Sequence, residues 1–396
     1  MNKSFDVVII GSGIIGNTLA AHLAKEDLNI GIINPLNYST PASIAAAGLL
    51  TPYQIHELEN AFLKDFCINS YKYFLSFYEG LNQYFQNTDL GFRKPGSLYL
   101  IFSNNEIAQK ENEIKQLKNT NASISFINKG DVSNLEPLLT KDIVGAYFYK
   151  QEGFINNPKF LNLIKQYCIE NKVRYINNSL QEIQTSKGKI EHILLNNGEI
   201  LQGSKFVLCN GVWANKFLKK LINTKEDLIK PIKGEILQAK VNEEEIPERI
   251  IFSKDGYIVP RPKTNKFETP SILAGSTSEE VSLDDSNIDK NSIHGISSLC
   301  NLIQKIIPSF KEKNISNMWT GLRPMSPDKM PILGQVEGIE NLYLSLGHYR
   351  NGILMAPFCG KILKEIICND KTDYDIAPFL LKRFIKIYSL PPVYSN

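Results

Sequence analysis

The chain opens on a unit that leaves few folds available. Phe5-Asp6-Val7-Val8-Ile9-Ile10 is a mostly apolar, β-branched run that leads directly into Gly11-Ser12-Gly13-Ile14-Ile15-Gly16. Such a run suits a strand buried on both faces, as in a parallel sheet. Ile14 to Lys25 reads as a helix with small Ala20, Ala21 and Ala24 for close packing, Asp27-Leu28-Asn29 turns the chain, and Ile30 to Ile33 reads as a second strand. The result is a strand–helix–strand unit with GxGxxG at its first turn. Gly11 permits the tight turn, Gly13 lets a pyrophosphate approach the backbone, and Gly16 lets helix and strand pack closely. The helix start then offers free N–H groups and the positive end of its dipole to phosphates. This predicts a dinucleotide site. The second strand ends in Asn34, where the pattern calls for Asp or Glu against the ribose, so any hydrogen bond there lacks a charge.

At 396 residues the chain is long enough for about two domains. With a net charge of +3 and no long basic block, nothing points to nucleic acid as a partner. No apolar run approaches the ~20 residues of a membrane span, and Met1-Asn2-Lys3-Ser4 begins no signal peptide, so a cytoplasmic protein without membrane partners is expected. Cys67, Cys168, Cys209, Cys300, Cys359 and Cys368 show no CxxC spacing and read as free thiols of a reducing compartment. The histidines are equally scattered, so no metal site is expected.

Further along, Ser43 to Leu50 is rich in alanine and is followed by an aromatic helix over about Glu57 to Leu81. Ser97 to Phe102 reads as a strand and Asn105 to Lys118 as a surface helix. Asn157-Pro158 starts a helix running to Asn171, Val173 to Ile176 is strand-like, and a small meander precedes Phe206 to Cys209. Short strands fill about 228 to 320, with a helix near Ser292 to Ile307. Leu342 to Leu346 feeds a glycine-flanked loop and a last helix to Ile367. The buried-strand signals therefore come from separated segments. The expected class is α/β with an α+β companion: a discontinuous Rossmann-like domain from 1–50, 150–225 and 325–396, interleaved with a mainly antiparallel substrate domain from 51–149 and 226–324.

Two further features carry chemistry. Arg323 stands in Trp319-Thr320-Gly321-Leu322-Arg323-Pro324-Met325-Ser326-Pro327-Asp328. Arginine can grip a carboxylate with two parallel hydrogen bonds, although spacing alone reads it as a structural arginine. The loop from Gly347 to Pro357 lies between strand and helix, where backbone N–H groups can meet a ligand; on its own it is a loop at the sheet edge.

Taken together, VVIIGSGIIG, SIAAAGLL, GLRPMSPDKMPILG and GHYRNGILMAP resemble, in order and over nearly the whole chain, the D-amino-acid oxidase family of flavoproteins. The last motif is most similar to that of the glycine-oxidising members, which serve thiamine biosynthesis. The resemblance implies non-covalent FAD. It sets Ile14 and Ile15 at the pyrophosphate turn, Asn34 and Pro35 by the adenosine ribose, and Val173 at the adenine through its backbone. Ala42, Ser43, Ala47, Gly48 and Leu49 would line the inner half of the flavin, and His348, Tyr349, Arg350, Asn351, Gly352, Ile353 and Leu354 would wrap its ring. Arg323 and Tyr257 would hold the substrate carboxylate, with Arg350 nearby. Some relatives tether the flavin to a cysteine at the position of Gly321, which has no thiol. His348 is expected to pack or cap; His22, His56, His192 and His294 show no partner pattern and are expected to be structural.

The implied chemistry is hydride transfer from the α-carbon of a small amino acid to the flavin, with oxygen as acceptor, in a homo-oligomer. A D-amino-acid dehydrogenase or sarcosine-type oxidase, a non-catalytic flavin-binding subunit and an NAD dehydrogenase remain as alternatives.

Overall fold

In the computed structural model, the residues described are 3–35, 41–54, 60–86, 88–118, 120–311 and 314–384. His56 and the expected helix start at Glu57 lie outside them; the helix itself is described over Ala61–Tyr84.

The opening unit folds as its pattern predicts. Strand Lys3–Ile10 pairs in parallel with Ile30–Ile33 on one side and Ile200–Leu208 on the other. Parallel pairing continues from Ile30–Ile33 to Arg174–Ile176 and from Ile200–Leu208 to Leu342–Leu346. Antiparallel strands complete this eight-stranded sheet: Ile332–Gln335 at one edge, and Leu180–Ser186 with Lys189–Leu195 built onto Ile200–Leu208. Helix Ile14–Leu23 packs on the last long helix, Gly352–Ile367, where Thr18 donates to the Ala356 carbonyl at 3.0 Å and His22 meets the Pro357 carbonyl at 3.0 Å. Burial pushes the His22 pKa down to about 4, so this ring is neutral packing.

A nine-stranded sheet takes its strands from 97–149 and 230–325. It is antiparallel except where Ile250–Ser253 runs parallel to Ser97–Ile101. Its spine is the pairing of Lys230–Lys240 with Ile315–Met325, two eleven-residue strands where the sequence suggests only short ones. Alternation of buried and exposed side chains is weak in both, which hides their length from a period-2 reading.

The alanine-rich stretch forms a short helix, Ala42–Ala45, and a two-residue strand, Leu49–Leu50. It runs along the seam between the two sheets and is tied from both sides. Trp319 donates from Nε1 to the Ala45 carbonyl at 2.9 Å, and Arg261 donates to the Ala47 carbonyl at 2.6 Å. Asn157, almost fully buried, donates to the Ser43 carbonyl at 2.7 Å. The loop after Leu342–Leu346 is stitched to the same seam, because Tyr349 donates its N–H to the Pro324 carbonyl at 2.9 Å.

Candidate active site

One cavity of about 1260 Å3 follows this seam. At one end lies the glycine turn. Gly11 has φ +116°, a region few other residues adopt, and a Cβ on Gly16 would stand 2.0 Å from the Gly11 carbonyl oxygen. The turn therefore closes only with glycine at the third position, which itself faces the strand and does not line the cavity. Gly11, Gly13, Ile14 and Ile15 do line it. Buried Asn17 braces the turn by donating to the Gly13 carbonyl at 3.0 Å. Helix Ile14–Leu23 has no side-chain cap of its own; the Ile14 N–H reaches across to the Ser43 hydroxyl at 2.9 Å.

Asn34 and Pro35 line the cavity beyond the turn. The Asn34 amide accepts from the Ser12 hydroxyl and donates to Asn177 at 2.8 Å. Val173 stands apart from these. It is buried in the apolar core outside the cavity lining, and its N–H closes the preceding helix on the Cys168 carbonyl at 2.9 Å.

In mid-cavity, Ala42, Ser43, Ala47, Gly48 and Leu49 face Tyr349, Arg350, Asn351, Gly352, Ile353 and Leu354. The start of helix Gly352–Ile367 is a second helix N-terminus, again without a side-chain cap, opening on the same space. Two such ends favour partial or full negative charge in the ligand. Tyr349 sits at φ +47°, a conformation costly for a tyrosine and held here by its bond to Pro324. His348 also lines the space, yet its ring is buried between Ser345, at 3.4 Å, and Cys359, at 3.5 Å. Burial pushes its pKa down to about 3, so it is a neutral packing group.

The far end holds Arg323, Tyr257 and Arg350. Arg323 donates to the Ser276 hydroxyl at 2.7 Å and the Thr277 carbonyl at 3.2 Å. Burial lowers its pKa, Tyr257 lies within hydrogen-bonding range, and Arg350 is close enough to repel it. Among the described residues no carboxylate pairs with Arg323. Arg350 meets the Ser278 hydroxyl at 3.5 Å and lies over the Tyr349 ring. Two guanidiniums facing one cavity, one of them half-buried, can together attract an anion.

The cavity also passes Gln54, Tyr99 and Lys110, which sequence reading did not single out. Nor did it find the Ser276–Ser278 segment or the Trp319 clamp. The polar triplet after Gly275 carried only the signal of a turn closing an apolar strand.

The residues fit FAD. A glycine cradle, two helix N-termini and a long cavity suit a dinucleotide, and Gly321 explains how the seam closes: a Cβ there would lie 2.5 Å from the Ala45 methyl. Among the described residues there is no cluster able to hold a metal, and no helix is long and apolar enough to cross a membrane.

Comparisons agree with this geometry. The bifunctional protein ThiO/ThiG of Trichormus variabilis is 28% identical over 397 residues, covering 99% of this chain but 57% of the relative, so the chain spans little more than half of that protein. Glycine oxidase of Bacillus subtilis is 27% identical over 383 residues, 95% of this chain and 96% of the relative. The crystal structure of glycine oxidase from Geobacillus kaustophilus superposes with a TM-score of 0.86 at 23% identity, covering 96% of this chain and 99% of that one, a likeness of fold. Residues 6–366 match the profile of the FAD-dependent oxidoreductase family that bears the DAO name, and this chain belongs to that family.

Proposed function

We propose that the chain oxidatively deaminates glycine, taking FAD without a covalent link and yielding the imine or glyoxylate, ammonia and hydrogen peroxide. The observation that carries this reading is Arg323, which lines the cavity beside Tyr257 and Arg350 and has no carboxylate partner among the described residues. Arg323 and Tyr257 bind the substrate carboxylate. That fixes the α-carbon against the mid-cavity; the amine that reacts has first given its proton to solvent, so its lone pair assists loss of hydride. FAD, when bound, supplies the hydride acceptor, and molecular oxygen takes the electrons on. The protein's share is orientation; neutral, buried His348 is not the base.

Gly11, Gly13, Ile14 and Ile15 hold the pyrophosphate, Asn34 and Pro35 the ribose, and the 42–49 and 348–354 stretches the ring. In this reading 1–50, 150–225 and 325–396 form the FAD-binding unit, and 51–149 with 226–324 the substrate unit. A role in thiamine biosynthesis, a cytoplasmic setting and a homo-oligomeric assembly follow the same resemblance. The outer cavity past Gln54, Tyr99 and Lys110 favours a second reading, oxidation of a slightly larger amine such as sarcosine or a small D-amino acid. A substrate panel with peroxide detection decides. Glycine is expected to give the highest kcat/KM; a protein that releases peroxide only with sarcosine or D-alanine supports the second reading, and one that releases none overturns both.

A further inference from the structure

The two arginines are held by one irregularity in the antiparallel sheet. Strand Lys230–Lys240 pairs along one edge first with Ser271–Gly275 and then with Glu279–Glu280. Ile236 faces Gly275 and Lys233 faces Glu279, so Ser276, Thr277 and Ser278 occupy a stretch matched by only Gly234 and Glu235. The extra residue makes a bulge, a device that bends a strand and re-aims its side chains. All three residues of the bulge meet the site: Ser276 through its hydroxyl and Thr277 through its carbonyl take Arg323, and Ser278 meets Arg350.

What fixes the bulge is Glu235, a carboxylate only 3% exposed. Its N–H donates to the Thr277 hydroxyl at 2.9 Å, and its Oε2 accepts from that hydroxyl at 3.1 Å. On its other side the carboxylate takes the Ser292 N–H at 2.5 Å and the Ser292 hydroxyl at 3.1 Å, where helix Ile293–Ile306 begins. Gly295 leaves the room, since a Cβ there would sit 1.7 Å from Oε2. Arg323 closes the arrangement, lying over Gly234 so tightly that a Cβ there would meet its Nη2 at 2.0 Å.

We infer that Glu235 is a positioning residue: by pinning Thr277 to the start of helix Ile293–Ile306, it sets the bulge that aims Arg323 and Arg350 at the substrate carboxylate. This rests on the carboxylate-binding reading above. A buried carboxyl group with both oxygens hydrogen-bonded is rigid, whereas a three-residue bulge without an anchor has several arrangements. Losing the anchor therefore weakens recognition of the carboxylate while leaving the FAD cradle intact.

The test titrates acetate, a carboxylate without an amine, into the FAD-loaded protein and follows the visible flavin spectrum. Thr277→Val removes only the hydroxyl link and is expected to raise the acetate Kd about tenfold, the loss of a hydrogen-bonded charge anchor. The KM for glycine rises with it and kcat changes less; FAD content stays that of the wild type. Thr277→Ser restores the wild-type Kd. Glu235→Ala behaves like Thr277→Val, and the double variant adds nothing further, because both cut one path. Ser292→Ala removes only the hydroxyl bond and leaves the Ser292 N–H on the carboxylate, so it lowers Tm but keeps the acetate Kd within about twofold. Should Glu235→Ala fail to fold, Thr277→Val and Thr277→Ser carry the test. Wild-type acetate binding in Thr277→Val overturns the inference. Acetate binding that is absent from the wild type, or unchanged in Arg323→Ala, overturns the carboxylate reading and this inference together.

Discussion

The two ends of the cavity are built in opposite ways. The end proposed for the phosphates is made by backbone: six consecutive residues, Gly11 to Gly16, fix a turn whose shape follows from which of them lack a Cβ. The arginine end is made by side chains from strands far apart in sequence, with Tyr257, the 276–278 bulge, Arg323 and Arg350 meeting only through the sheet register. The first is a local constraint and leaves a local signature. The second is assembled by tertiary pairing, so each contributor looks ordinary in its own stretch of chain.

That contrast gives the largest expected effect to the smallest change. Gly16→Val places a branched side chain where even a Cβ would approach the Gly11 oxygen to 2.0 Å. Moving the helix away opens the turn, and with it the N–H groups proposed to face the phosphates. The variant is expected to purify without flavin; the absorbance near 450 nm per mole of protein, beside circular dichroism for the fold, measures this. Normal flavin content would mean that the phosphate end is not backbone-dictated at all.

At the other end, Arg323→Ala is expected to keep its FAD and lose most turnover of glycine, by roughly 10²–10³-fold in kcat/KM, the usual result of truncating one partner of a buried charge pair. Arg323→Lys recovers little, because a point charge lacks the planar fork that serves Ser276, Thr277 and a carboxylate together. Simple amines without a carboxylate, if oxidised, lose less. Near-normal kcat/KM in Arg323→Ala would shift the carboxylate to Arg350.

Legibility in the sequence follows the same line. The opening strand–turn–helix could be read from residues alone because burial on both faces, glycine spacing and helix start fall within thirty positions. The motif around Arg323 and the loop from Gly347 could be placed only through the family resemblance, since an arginine in a strand and a glycine loop each have commoner explanations. Trp319, Asn157 and Arg261, which clamp Ala42–Leu50 by bonding its carbonyls, left no pattern, because a side chain that bonds a distant backbone has no sequence period. Val173 shows the converse. The resemblance alone points to its backbone, and nothing in its own stretch does; its N–H closes the helix before it on the Cys168 carbonyl.

A buried carboxylate offers an intermediate test of how far the side-chain end leans on its surroundings. Glu152 is fully buried and bonds Gln54 at 2.6 Å, Ser97 at 2.5 Å and the Tyr53 N–H at 3.2 Å. Burial pushes its pKa up to about 7, against an ordinary 4.5. The folded protein thus holds this proton more tightly than the unfolded chain does. Stability from this group is fully present below about pH 4.5 and is lost as pH rises through 7, by up to about 3 kcal/mol. Chemical denaturation across that range should show the slope, and Glu152→Gln should remove it while holding the wild-type's low-pH stability. An unchanged slope would assign the titration to another group.

The smallest effect is expected where the phosphate end departs from its own pattern. Asn34 stands where a carboxylate usually meets the ribose, and it is already engaged: its oxygen accepts from Ser12, and its amide donates to exposed Asn177 at 2.8 Å. Asn34→Asp exchanges one donor for an acceptor. The Asn177 amide can turn over to present its own N–H, so the relay survives, and the new carboxylate has lone pairs left for a ribose hydroxyl. Hydrogen bonds to a charged acceptor are about twice as strong as neutral ones, but solvent and salt screen a half-exposed position. The balance is about fivefold tighter FAD binding, on the order of 1 kcal/mol. Titrating FAD into the apoprotein at low and high salt measures it, and the gain should shrink at high salt and vanish below about pH 4, where the new carboxyl is protonated. Weaker binding in Asn34→Asp would mean that the neutral relay from Ser12 to Asn177 is itself the ribose contact, and that this stretch of the phosphate end, like the arginine end, depends on side chains meeting across the fold.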